Sequence, residues 1–407
     1  MQDKSRPNIV RRSLIATAIA GGLVAPFAYA APMLSAGGHR PIAPNAWIEV
    51  NLGAFERNLS YIQQLLANGA KLCAIMKADA YGMGIETLMP TLLKAGVPCV
   101  GITSTEEARV VRASGFTGQL MRVRAAAPDE VEEALTYDVE ELVGNAELAR
   151  KISEIARRRR QVVSVHLALN SSGISRNGLD LKSSSGKEDA MAIIQVQGLR
   201  VVGVMTHFAV EDRPDVLRSL DAFKRDCEWL FANTNLARSD VTLHAANSFA
   251  TLNVPESHLD MVRTGAAMYG HIGPFDQIAA FKSRVAAVNV YPAGRHVGYD
   301  RTYTLKRDSM VANITVGYSD GYLRAFTNRG SVLVRGQRAP VIGKVSMNTL
   351  MVDVTNISGV RPGDEVVLFG KQGSHEITQA EIEEAAGVGL VDLSVTWGNA
   401  NPKIAQQ

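Results

Sequence analysis

Short apolar runs punctuate the chain at 47–50, 72–76, 99–102, 120–123, 162–169, 201–206 and 241–244. Most are followed by a stretch whose apolar positions have helical spacing: 55–66, 85–94, 104–114, 129–135, 215–231 and the region from Asn247. The third of these helices is expected to start on Ser104 or Thr105, with Glu107 as a capping acid. Repeated strand-then-helix units call for a parallel sheet, and about eight close it into a TIM-type (β/α)8 barrel. An open doubly wound sheet produces a similar periodicity. From about Phe281 the rhythm changes to short runs rich in Val, Ile and Tyr, at 285–290, 302–305, 310–316, 331–334, 340–342, 351–354 and 365–369. Turns such as Asn328-Arg329-Gly330 and Arg361-Pro362-Gly363-Asp364 separate them, and a single helix, 378–386, is evident. The expected organisation is an α/β barrel over 47–279 plus a mainly β domain over 280–407.

The first thirty residues follow a different pattern. Lys4, Arg6, Arg11 and Arg12 precede an apolar stretch, 14–27, that closes on Ala28-Tyr29-Ala30. This predicts a signal peptide over 1–30 and a lead segment over 31–46. A membrane anchor is the alternative, but the apolar stretch is short and Gly21, Gly22 and Pro26 interrupt it. The pair Arg11-Arg12 also faintly suggests the twin-arginine route. The whole chain holds 43 basic and 40 acidic residues, a net charge of +3. Cleavage after Ala30 removes four basic residues and Asp3, leaving 39 of each sign. The basicity therefore belongs to the leader, and no nucleic-acid partner is expected. The run 157–160, four arginines ending a helical pattern, reads as a solvated helix end. The remaining 377 residues are too many for one core of ordinary size, so two domains are expected.

Candidate chemistry concentrates behind the run 72–76. Lys77 stands at its C-terminal end, followed by Tyr81 and the small-residue turn Gly82-Met83-Gly84. In a parallel barrel that strand end faces the active site. An amine with an apolar strand behind it and a phenol four residues on is suited to forming an imine, although a solvated lysine has the same local sequence. Cys73 and Cys99 fall on sequential runs, where register decides between a disulfide and two buried thiols. Cys227 reads as a core thiol.

Segment 72–84 resembles the pyridoxal-phosphate lysine motif of the alanine racemase family, including its broad-specificity periplasmic branch. Further motifs follow in order: Asn170-Ser171-Ser172-Gly173-Ile174-Ser175-Arg176, Thr206-His207-Phe208-Ala209, His244-Ala245-Ala246-Asn247-Ser248, Met261-Val262-Arg263-Thr264-Gly265 and Val316-Gly317-Tyr318-Ser319-Asp320-Gly321. The likeness spans about Trp47 to Trp397. It implies that the strand 47–50 belongs to the β domain, and that Lys77 carries pyridoxal 5'-phosphate as a Schiff base and is one catalytic base. Tyr318 is implied as the second base, reaching the active site of the other subunit, which requires a homodimer with shared sites. Tyr81 accompanies the cofactor. His207 lies against its ring, and Ser248 with the backbone of Gly265 and Ala266 holds its phosphate. Arg263 faces the ring nitrogen; a guanidinium only donates, so that nitrogen must accept. Arg176 binds the substrate carboxylate with the backbone of Met347 from the other subunit. The periplasmic branch carries a cysteine pair matching Cys73 and Cys99, which implies a disulfide. No metal is implied.

Three departures from the alanine-specific pattern matter. Ala168 and Asn170 stand where those enzymes carry a lysine and an aspartate, so another anion, such as a bound chloride, is expected to steady Arg176. Ser346 and Asn348 flank Met347, and Trp397 lies roughly where a phosphate-contacting tyrosine is expected. The implied activity is two-base racemisation of free L- and D-amino acids, with lysine, arginine, methionine and alanine among them, in the periplasm and without membrane attachment once the signal is removed. A narrow-specificity alanine racemase is the nearest alternative, and export argues against it. A decarboxylase of the same two-domain plan lacks a reason for Tyr318. An exported binding protein lacks a reason for either base.

Overall fold

The computed structural model describes residues 43–406 except Asn68, so the expected signal peptide and most of the lead segment lie outside the described residues. Strand β1 (Ala46–Asn51) opens the fold. It is followed by β2 (Lys71–Ile75), β3 (Cys99–Ile102), β4 (Gln119–Arg122), β5 (Val139–Val143), β6 (Val163–Ala168), β7 (Leu199–Met205), β8 (Thr242–His244), β9 (Met261–Thr264) and β10 (Ala279–Tyr291). Strands β2 to β9 close a parallel barrel in sequence order, which decides against an open sheet. Their side chains are almost continuously buried, as parallel strands under a ring of helices require.

Several barrel elements, β9 among them, are silent in the hydrophobic pattern. In β5, Glu140 and Glu141 interrupt the run of Val139, Leu142 and Val143. Both acids have buried partners: Glu141 meets the fully buried Arg122 at 2.8 Å, and Glu140 meets His166 at 2.7 Å. The helix Ser184–Gln195, between β6 and β7, is also absent from the periodicity. Elsewhere local signals hold. The Ser104–Glu107 capping box starts the helix Thr105–Ala113, and the arginine run closes the helix Ala146–Arg159, with Arg158 and Arg159 paired to Glu132 on its surface.

The second domain is built on a nine-stranded sheet. Strand β1 runs antiparallel to β10 and parallel to the strand Lys403–Gln406, so the described residues begin in the β sheet, build the barrel and return. The domain holds a second helix, Leu390–Ala400, where the sequence shows one. Val391, Leu393, Val395 and Trp397 alternate in sequence as a strand would, which hides the helical period. This helix meets the Lys77 segment at a glycine contact: a Cβ on Gly398 would lie 2.0 Å from the Gly82 carbonyl oxygen. Among the described residues no helix is long and apolar enough to cross a membrane.

Candidate active site

Lys77 leaves β2 at the C-terminal mouth of the barrel into a left-handed turn. Ala78, Asp79, Ala80 and Tyr81 have φ of 53°, 51°, 56° and 56°, a conformation costing L-residues about 1–2 kcal/mol each. Hydrogen bonds on several sides hold it. Ala80 N–H donates to the Met76 carbonyl (2.8 Å), Gly82 N–H to that of Ala78 (2.9 Å), and Asp79 N–H to Glu107 (3.3 Å). The Asp79 carboxylate accepts from Ile85 N–H at 2.8 Å and pairs with Lys403 at 3.1 Å. Glu107 also accepts from the Thr103 and Ser104 amides. A capping acid thus does double service, tying the Lys77 turn to the neighbouring helix.

The lysine points into a cavity of about 320 Å³ whose wall includes Tyr81, Arg176, His207, Ser248, Arg263, Gly265 and Ala266. Surrounding protein desolvates the Lys77 amine and Arg176 repels its charge, so its pKa falls below that of free lysine despite the opposing Glu107. Tyr81 lies beside it, with the amine 5.6 Å from the ring centre. Burial pushes the Tyr81 phenol up to about 12, so it stays a neutral donor.

Arg263 is buried in the floor. It donates to Nδ1 of His244 at 2.8 Å, to the Thr206 carbonyl at 3.0 Å and to the Ala245 carbonyl at 3.3 Å, with His207 Nδ1 at 3.4 Å. Burial lowers its pKa to about 10, which leaves it charged at neutral pH. Burial, with Arg263, Arg176 and Lys77 around it, lowers His207 to about 3, so that imidazole is neutral. On the opposite wall the Ser248 hydroxyl accepts from the amides of Gly265 (3.0 Å) and Ala267 (3.3 Å), freeing its proton for an anion in the cavity. A Cβ on Gly265 would meet the Tyr81 phenol oxygen at 2.2 Å, so glycine there keeps a concave cradle of donors open.

Other candidates stand apart. Tyr318 and Met347 belong to the β domain, joined through the Tyr318 amide to Ser346 (3.1 Å) and the Ser319 amide to Met347 (3.0 Å), and neither lines this cavity. Met347 is 54% exposed. Asn170 clamps the glycine turn before Arg176 through both its side-chain oxygen and nitrogen to Ser175, and Ala168 packs with Leu142 and Met205. Among the described residues Arg176 makes no ion pair. Trp397 does not reach the cavity: it is buried between Phe281 and Phe369, and its indole donates to the Gly321 carbonyl at 3.1 Å. Cys73 and Cys99 are buried thiols that face one another in register on β2 and β3. Cys227 is likewise a buried thiol. Glu140 and His166 were not legible from sequence because each owes its place to partners distant along the chain, and Glu107 was legible only as a helix cap, its bond to the Asp79 amide spanning 28 residues.

Residues 50–272 match the family described as alanine racemase, N-terminal domain, and residues 278–405 match its C-terminal domain. The chain belongs to the alanine racemase family. Within it, this chain is 55% identical to a broad specificity amino-acid racemase of Aeromonas hydrophila subsp. hydrophila, over 97% of this chain and 98% of that one. It is 47% identical to a lysine racemase of Proteus mirabilis over 89% and 90% of the two chains. The alanine racemase of Bacillus anthracis, solved with bound L-Ala-P, superimposes with a TM-score of 0.83 at 25% identity, covering 90% of this chain and 96% of that one. The family's two-domain architecture is thus the one described above.

Proposed function

We propose that the Lys77 cavity binds pyridoxal 5'-phosphate and racemises free amino acids with a broad range of side chains. The observation that carries this reading is the convergence of Lys77, Arg263 and the Ser248–Gly265 cradle on one cavity at the barrel mouth. These residues fit the cofactor: an amine of lowered pKa for its aldehyde, the Ser248 hydroxyl and the Ala266 amide as donors for its phosphate, and a guanidinium for its ring nitrogen. When bound, the cofactor supplies delocalisation of the charge left on Cα by proton removal.

Lys77 anchors the cofactor and, once released by substrate, takes or returns the Cα proton on one face. Tyr318 from a second subunit serves the other face, which the position of Tyr318 and Met347 outside the lining of their own chain's cavity supports. The homodimer is then the catalytic unit. Neutral His207 orients without exchanging protons at Cα. Arg176 receives the substrate carboxylate, and a chloride beside it supplies the negative charge that Ala168 and Asn170 lack. Neutral groups there also suit long side chains, in keeping with the names of the relatives. The leader, 1–30, takes the protein to the periplasm, where the facing Cys73 and Cys99 form a disulfide.

Borohydride reduction of the loaded protein should fix the cofactor on Lys77, as read by peptide mapping; an unmodified Lys77 peptide from a reduced, coloured protein refutes the anchor. Lys77→Ala and Tyr318→Phe should each be inactive alone. Mixed and reassociated, they should regain activity through hybrid dimers that hold one intact site. Absence of complementation rejects the shared site. Chiral chromatography with L-lysine, L-arginine, L-methionine and L-alanine tests breadth, and turnover of alanine alone restores the narrow reading.

A further inference from the structure

Behind Arg263 a line of polar side chains, buried except at its half-buried Glu140 end, crosses the barrel interior, and its hydrogen bonds run one way. A guanidinium can only donate, so Nδ1 of His244, 2.8 Å from the Arg263 nitrogen, must accept. A neutral imidazole with a bare Nδ1 carries its proton on Nε2. That Nε2 lies 2.8 Å from Nδ1 of His166, which therefore accepts in turn. His166 then holds its own proton on Nε2 and donates it to the Glu140 carboxylate at 2.7 Å. Gln119 donates to the same carboxylate oxygen at 2.6 Å. One tautomer of each ring satisfies every contact, and the positive and negative ends are separated by two neutral imidazoles. The pKa of His244, forced well below its ordinary value by burial and by Arg263, agrees with a neutral ring. Burial pushes the Glu140 carboxyl up, and the bonds from His166 and Gln119, with the charge of Arg200, pull it back down.

The barrel makes room for this line. Gly203 is the register partner of His166 on β7, and a Cβ there would stand 2.1 Å from His166 Nδ1. The β6 and β7 pairing also shifts register between Val165 and His166.

We propose that Glu140 acts through His166 and His244 as a positioning residue for Arg263, holding its guanidinium as a one-way donor toward the cofactor's ring nitrogen. The proposal rests on the cofactor reading above. Glu140 sits on β5, three hydrogen bonds from Arg263, and touches neither substrate nor cofactor.

The test uses the loaded full-length protein with ring-15N histidine. Long-range 1H–15N spectra should give His166 and His244 as neutral Nε2–H rings from pH 6 to 9, assigned with single His→Asn variants. A charged ring, or a proton on either Nδ1, overturns the proposal without any variant of Glu140. Glu140→Gln keeps the shape and one acceptor, but its amide can also donate to His166 and reverse the line. It should populate the Nδ1–H form of His166, shift the absorbance maximum of the bound cofactor, and lower kcat about tenfold or more with little change in KM. Glu140→Asp, which retains the charge, should restore the wild-type tautomer and much of kcat. Unchanged tautomers and absorbance in Glu140→Gln would remove the positioning role alone, whereas absence of any cofactor band in the wild type would remove the cofactor reading itself.

Discussion

Ala78 is an alanine in the left-handed region with its side chain exposed, so little packing offsets the steric cost of its Cβ. Ala78→Gly should therefore raise stability by up to about 1 kcal/mol, the reverse of the loss expected at a right-handed helix position, as read by thermal melting of the full-length protein. A lower melting temperature would mean that the turn owes its shape to Ala78 itself. Legibility at this scale followed distance along the chain. Lys77 and Tyr81 share one short motif, and Arg263, Gly265 and Ala266 share another, so local sequence displays them together. Glu140 and His166 are 26 residues apart and His166 and His244 are 78 apart, and nothing in either neighbourhood marks the bond between them. Trp397 misled for the opposite reason: its sequence position suggested the cavity, whereas aromatic packing decided its place.

The helix Leu390–Ala400 and the Lys77 turn touch backbone to backbone through Gly398 and Gly82. Gly398→Ala would thrust a methyl group to within 2.0 Å of the Gly82 carbonyl, and Gly82, itself at φ 84°, has little freedom to retreat. The variant should fold with a stability loss of about 1–3 kcal/mol and release its cofactor faster on dilution, followed by loss of absorbance. Retention equal to wild type would show that the helix does not support the turn. The barrel was readable in outline because repeated apolar strands announce a parallel sheet. Strand β5 escaped because its acids find buried partners, and hydrophobic periodicity records only side chains that shun water.

Buried histidines set the acid limit of the whole molecule. His207 and His271 are lowered to about 3 and about 4, chiefly by burial, and burial holds His244 well below its ordinary value. Below pH 6.5 the unfolded chain binds protons that the folded chain refuses, so stability falls with pH from about 6.5 downward and is unaffected by these groups above it. For the nearly fully buried His271 the loss by pH 5 is on the order of 2 kcal/mol. Urea midpoints measured from pH 7.5 to 5 should decline steadily, and His271→Gln should flatten that decline; parallel lines for variant and wild type would remove His271 from the cause.

Strand β1 lies between β10 and the strand Lys403–Gln406, so the first of the described strands is completed by the last. During synthesis it leaves the ribosome some 230 residues ahead of one neighbour and some 350 ahead of the other. Until the final residues emerge, one rim of β1 is open, Asp79 lacks Lys403, and the Lys77 turn is without its outer brace. The completed site is therefore a late event in the life of each chain: a nascent or prematurely ended copy can hold the barrel's sequence in full and still lack the clasp that steadies its lysine.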